Sequence, residues 1–246
     1  MMSCLLTRTP TLLTTGKTLT NDYARLLRTL FHTRLHIERS VFEFGLSETI
    51  YAPLDKAEAD WEKLKHRVHS SQQVFIRGFG RNSNGTHLFQ AFYADVLKNN
   101  QVTVDPTNNA QPTKLIRDLT GYSKTKSSKH EPIQNYQISH IFGRTKSVFA
   151  FTAPWNIVYM PKILDPFTGH EAKGSMIDEY QKLFREQSFK HFGPLINDYN
   201  ALITSPSLVD SIHQYLDKIE QDKNLDGKYV SKLRASILEE ITPIIL

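Results

Sequence analysis

Three polar side chains stand out between Tyr136 and Glu171: His140, Asn156 and His170, each among apolar neighbours and separated by sixteen and then fourteen residues. A neutral imidazole, with an ordinary pKa of ~6.5, can take a proton from water near neutral pH. Imidazole nitrogen together with amide or carboxylate oxygen can hold one divalent ion, and Asp165 adds a carboxylate close by in sequence. A cation held there would stabilise the charge that grows on a phosphate and on its leaving 3′ oxygen. Arg144 and Lys146, just beyond His140, suit a phosphodiester backbone as a fork and a point charge.

The elements that must position these groups are short. His140 closes a strand pattern that begins at Tyr136, Asn156 opens a second, and His170 lies just before a helical pattern. The order His, Asn, His in a strand, loop, strand, helix layout resembles the HNH family, also called His-Me finger or ββα-metal endonucleases. The resemblance covers roughly residues 136–170. It implies that His140 is the general base, that Asn156 supports the site or binds the metal, and that His170 is a metal ligand, with Mg²⁺ as the expected ion and Asp165 as a further donor. Many family members carry an acid or a second His immediately before the base; Ser139 stands there in this chain. The same residues also admit a plain structural role. His140, flanked by Ile138 and Ile141, fits a hydrogen-bonded core histidine, Asn156 a turn, and His170 a helix-entry residue with Glu171 in the first turn.

The chain is basic, with a net charge of +5 and a pI near 9.1 over 246 residues. The charge is uneven. Lys114, Arg117, Lys124, Lys126, Lys129, Arg144 and Lys146 face only Asp118 and Glu131 across that stretch, a field suited to a polyanion such as DNA, with RNA not excluded. The bland alternative is a solvated basic loop. One cysteine, Cys4, excludes an internal disulfide framework and paired-cysteine zinc knuckles. No apolar run approaches the ~20 residues of a membrane span, so a soluble, cytoplasmic protein without a membrane partner is expected. Residues 1–21 carry Arg8, Lys17, many Ser and Thr and no acid, like a transit peptide, but their leucines form no continuous amphipathic face across Pro10, and no targeting role is assigned.

Around the insert the chain reads as helical. Apolar stripes at helical spacing occupy 21–37, 55–69, 88–97, 176–184, 208–219 and 229–241, with a short strand at Val74 to Ile76. Residues 99–113, rich in Asn, Gln, Thr and Pro, read as a connecting loop, and 120–135 as a second, exposed loop. The expected class is α+β, mostly helical with a small ββα-metal insert. The expected divisions are an N-terminal helical region over 1–111, a basic loop and HNH-like core over 112–190, and a C-terminal helical region over 191–246. The function these readings favour is a metal-dependent endonuclease acting on DNA in restriction or phage defence, with a second subunit, identical or not, for double-strand cutting. The alternatives are a non-catalytic nucleic-acid-binding or partner-binding helical protein, and a metallohydrolase of small phosphoesters.

Overall fold

The computed structural model describes residues 37–78, 85–168, 173–222 and 225–246. The expected helix over 21–37 lies outside them except for its last residue, and so does His170.

The chain is α+β and mostly helical. In order the elements are α1 (Ile37–Glu48), α2 (Leu54–His69), β1 (Val74–Ile76), α3 (Thr86–Val96), β2 (Val102–Val104), α4 (Ala110–Thr120), β3 (Tyr122–Ser123), β4 (Glu131–Pro132), β5 (Tyr136–His140), β6 (Ile157–Pro161), a 3₁₀ turn (Lys162–Leu164), α5 (Asp165–Thr168), α6 (Ser175–Ile203), α7 (Pro206–Gln221) and α8 (Gly227–Glu240). The strands form three two-stranded sheets: β1 with β2 and β3 with β4 parallel, β5 with β6 antiparallel. Ile50 bridges to Tyr159 on the free edge of β6, through Ile50 N–H to Tyr159 O at 2.8 Å and Tyr159 N–H to Ile50 O at 3.1 Å. That bridge caps an edge that would otherwise present unpaired backbone groups.

The helices form for the reasons the apolar spacing implies. In α2, Ala57, Trp61, Leu64 and Val68 recur every three or four residues and are buried, with Asp55 in the first turn and His66, Arg67 and His69 in the last, as the helix dipole favours. In α7, Ile212, Tyr215, Leu216 and Ile219 do the same behind Pro206 at the helix start. Helix α6 carries Pro194 in its interior and is kinked at Phe192 (φ −127°, ψ 17°).

One contiguous core joins the helical parts to the insert. Trp61 of α2 packs edge-on to Trp155 with ring centres 5.7 Å apart, and Trp155 meets Tyr199 of α6 at 5.0 Å. The Trp61 indole N–H donates to Asp198 Oδ2 at 2.7 Å, so the polar end of that ring is satisfied.

Residues 99–113 are not a plain loop. They hold β2 and the start of α4, and the device that orders them is buried Asp105. Its Oδ1 accepts from the backbone N–H groups of Thr107 (3.0 Å) and Ala110 (2.9 Å), and its Oδ2 from that of Gln111 (2.7 Å). The N–H groups of Ala110 and Gln111 are among the donors that a helix start leaves orphaned. The 120–135 stretch is largely irregular, as expected, apart from the two-residue strands β3 and β4.

Candidate functional site

Strand β5 ends at His140, opposite Ile157 of β6, and the connection between them spans residues 141–156. Asn156 closes that loop. Its main-chain O accepts from Ile141 N–H at 2.9 Å; its side-chain Oδ1 accepts from Phe142 N–H at 2.9 Å; its Nδ2 donates to Gly143 O at 2.9 Å and Ala150 O at 3.0 Å. Gly143 and Arg144 both take positive φ (68° and 56°), which reverses the chain shortly after His140. The returning segment brings Phe151 against His140: the rings stack 11° from parallel with centres 5.4 Å apart, and Phe151 O lies 3.0 Å from His140 Nε2.

That contact fixes the tautomer. A carbonyl oxygen only accepts, so Nε2 carries the proton and Nδ1 keeps a lone pair. Nδ1 has no hydrogen-bond partner among the described residues. Burial pushes the His140 pKa down to about 4, with the hydrogen bond to Phe151 O opposing, the charge of Arg77 assisting and that of Asp105 opposing. The ring is therefore neutral at physiological pH, with an Nδ1 lone pair that burial makes only weakly basic. It lines a small cavity of about 110 Å³ with Gly143, Thr168 of α5, and Gln181 and Arg185 of α6.

Asn156 requires a correction. It is fully buried and both of its amide atoms serve the loop backbone, so it supports the site and is not placed to ligate a metal. Asp165 is also not brought to His140. Its Oδ1 accepts from Gln137 Nε2 at 2.7 Å, and Gln137, three residues before His140, points to the opposite face of β5. Thr168, further along α5, does reach the His140 cavity. Among the described residues no three His, Cys, Asp or Glu side chains are grouped to hold a metal ion.

The basic residues disperse. Lys146 is committed to the fold: its Nζ lies 2.9 Å from Oε1 of buried Glu240, and its N–H donates to Glu240 Oε2 at 2.9 Å. A lysine held this way is not free for a phosphate, which corrects its assignment to DNA contact. Arg144 is half-buried, and its Nε is enclosed without a hydrogen-bond partner. Arg117 Nε donates to Asp118 Oδ1 at 2.9 Å, which offsets its charge. Lys124 is exposed overall, yet partial desolvation and the charge of Lys162 lower its pKa. Lys126 and Lys129 are exposed, and Lys114 lines a groove between α2 and α4.

Sequence reasoning missed Gln181 and Arg185. They lie four apart on α6, one turn along the same face, beside the buried Tyr180, Phe184 and Ser188. Nothing in such a pattern separates a cavity wall from a solvated face. Arg77 and Asp105, whose charges act on His140, were also unread as part of the site; both follow strands of the β1–β2 sheet directly.

No helix among the described residues is long and apolar enough to cross a membrane. The family described as uncharacterised protein PM1201 matches residues 52–246, so the chain belongs to that family. The uncharacterized protein PM1201 of Pasteurella multocida (strain Pm70) is 41% identical over 167 residues, 68% of this chain and 73% of the relative. No solved structure matches.

Proposed function

We infer that this member of the PM1201 family is an endonuclease that hydrolyses DNA phosphodiester bonds with a water activated by His140. The observation that carries the reading is the His140 imidazole. Its Nε2–H is pinned by Phe151 O, its Nδ1 is left as a base, and it shares a cavity with the guanidinium of Arg185, which has no ion-pair partner among the described residues.

In this mechanism a phosphodiester enters beside Arg185, which holds its non-bridging oxygens as a fork. The phosphate's negative charge stabilises an imidazolium, so the proton affinity of His140 rises from its depressed value as substrate binds. Nδ1 then takes a proton from water, the hydroxide oxygen bonds to phosphorus, and the P–O3′ bond breaks. The 3′ oxygen leaves and takes a proton from solvent. Phe151 O keeps the developing imidazolium oriented, and Asn156 keeps Phe151 where it is by holding the loop at Phe142, Gly143 and Ala150. The resemblance to HNH enzymes adds a divalent ion, Mg²⁺ by expectation, with His170 as its imidazole ligand. It would neutralise charge at the phosphate and the leaving oxygen. The described residues do not complete its donor set.

Restriction or defence against invading DNA in the cytoplasm is the setting we propose, by analogy with the HNH family. The test is incubation of the purified protein with supercoiled and linear DNA in Mg²⁺, in Mn²⁺ and in chelator, read on a gel. Cleavage in metal that His140→Ala abolishes and Arg185→Ala slows on the order of 10²-fold supports the reading. Wild-type cleavage by His140→Ala sinks it. A second reading, a non-catalytic nucleic-acid binder, draws on exposed Lys126 and Lys129. Salt-dependent binding by a protein that cleaves in none of the three conditions would select it.

A further inference from the structure

Residues 124–130 connect β3 to β4 and are held together at their base. Glu131 N–H donates to Gly121 O at 2.8 Å and Ile133 N–H to Ser123 O at 2.9 Å, so the two ends of the connection lie side by side. Gly121 takes φ 78° at the end of α4 and turns the chain into β3. The connection then returns to the last turn of that helix, where Asp118 sits. Three side chains meet there in a row. Ser127 Oγ lies 3.1 Å from His130 Nδ1, and His130 Nε2 lies 3.8 Å from Asp118 Oδ1.

The hydrogen bonds give this row a direction. Ser127 Oγ already accepts from Lys129 N–H at 3.1 Å, which closes the turn and leaves its own hydrogen to donate. Received by Nδ1, that hydrogen puts the imidazole proton on Nε2, facing a carboxylate that only accepts. Hydroxyl, imidazole and carboxylate, each polarised towards the next, are the arrangement that turns a serine into a nucleophile. At 3.8 Å the carboxylate is within ion-pair range and beyond a hydrogen bond, and Arg117 Nε holds it by donating to the same Oδ1 at 2.9 Å. Ser127 and His130 are half-buried, which leaves part of each open to solvent.

We propose that Ser127, His130 and Asp118 form a catalytic site separate from His140, one that hydrolyses small carboxylic esters through an acyl group carried on Ser127. Nδ1 of His130 takes the hydroxyl proton as Oγ bonds to the ester carbonyl carbon. The Lys129 N–H that rests on Oγ is within reach of the oxyanion forming on that carbon. The C–O bond to the alcohol then breaks, and the departing alkoxide takes the proton from Nδ1. Water adds to the acyl carbon and gives a proton to Nδ1. The bond to Oγ breaks, Oγ recovers that proton, and the carboxylic acid leaves. Ser127 and His130 touch the reacting atoms, while Asp118 is a positioning residue that orients the ring. None of the three lines the His140 cavity, so this chemistry stands apart from DNA cleavage.

Two measurements on the full chain decide the matter: hydrolysis of p-nitrophenyl acetate, and labelling by a fluorophosphonate with the modified residue located by peptide mass spectrometry. The label should sit on Ser127, and hydrolysis should exceed the buffer rate by an amount that Ser127→Ala removes. His130→Gln should slow hydrolysis by about 10²-fold or more. Asp118→Asn should lower kcat by about tenfold while KM stays, a split that a role confined to the shape of the loop would not produce. Denaturant unfolding of each variant separates lost chemistry from lost structure, and labelling of the wild-type chain needs no variant at all. Absence of label at Ser127, hydrolysis that survives Ser127→Ala, or wild-type rates in either His130→Gln or Asp118→Asn overturns the proposal.

Discussion

The loop that holds His140 and the groove between α2 and α4 treat their polar groups in opposite ways. In the loop, Asn156 satisfies four backbone groups by itself, and the imidazole has one nitrogen pinned and one left over. In the groove, a carboxylate oxygen and a guanidinium N–H are enclosed with no partner at all. Satisfied polar networks rigidify a single arrangement, whereas unsatisfied ones leave a desolvation cost within the fold. The first region is built to keep one geometry; the second leaves two polar atoms of charged side chains enclosed without partners.

Substitutions can break or sharpen that contrast. The largest effect is expected from Asn156→Ala. It removes three side-chain hydrogen bonds and leaves Phe142 N–H, Gly143 O and Ala150 O unpaired in the interior, a loss of about 3–5 kcal/mol measurable by denaturant unfolding. A loss under 1 kcal/mol would mean the loop holds itself without this residue. Lys146→Ala strands the buried Glu240 carboxylate, and a loss of about 3 kcal/mol is expected at neutral pH.

His140 gives a pH signature of similar size. Its native pKa is depressed to about 4 from an ordinary value of about 6.5, so the unfolded chain binds the proton more readily between those values. Stability is fully present above about pH 6.5 and falls by about 3 kcal/mol as the pH drops through that window to about 4. His140→Gln should flatten this part of the profile; an unchanged acid limb would show that the ring is not held in its neutral form. Asp105→Ala should cost about 2 kcal/mol through the start of α4. The smallest effects belong to the groove. Asp60→Asn and Arg67→Gln should each shift stability by no more than about 0.5 kcal/mol, and a loss above 2 kcal/mol from either would show that these groups serve the fold.

What the sequence made legible follows from the range of the interactions. The stripes Trp61, Leu64, Val68 and Ile212, Tyr215, Leu216 are local periodicities, and all six are buried as expected. The order of strand, loop and strand around His140 and Asn156 is local too, and the register of β5 and β6 places both residues at the loop's two ends. Asp105 was passed over because it acts on backbone amides of Thr107, Ala110 and Gln111, which composition does not reveal. The partner of the His140 ring is a main-chain carbonyl, which any residue at 151 would supply. Lys146 looked like a phosphate ligand because Glu240 lies 94 residues away, and no local pattern announces a pair at that distance.

The loop between β5 and β6 also sets a timetable. The atom that aims the imidazole lies eleven residues downstream of it, the amide that fixes that atom comes later still, and the Arg185 wall belongs to α6. On a ribosome, His140 emerges well before any of these. A nascent chain thus carries the imidazole without its orientation until Phe151, Asn156 and Arg185 have followed it.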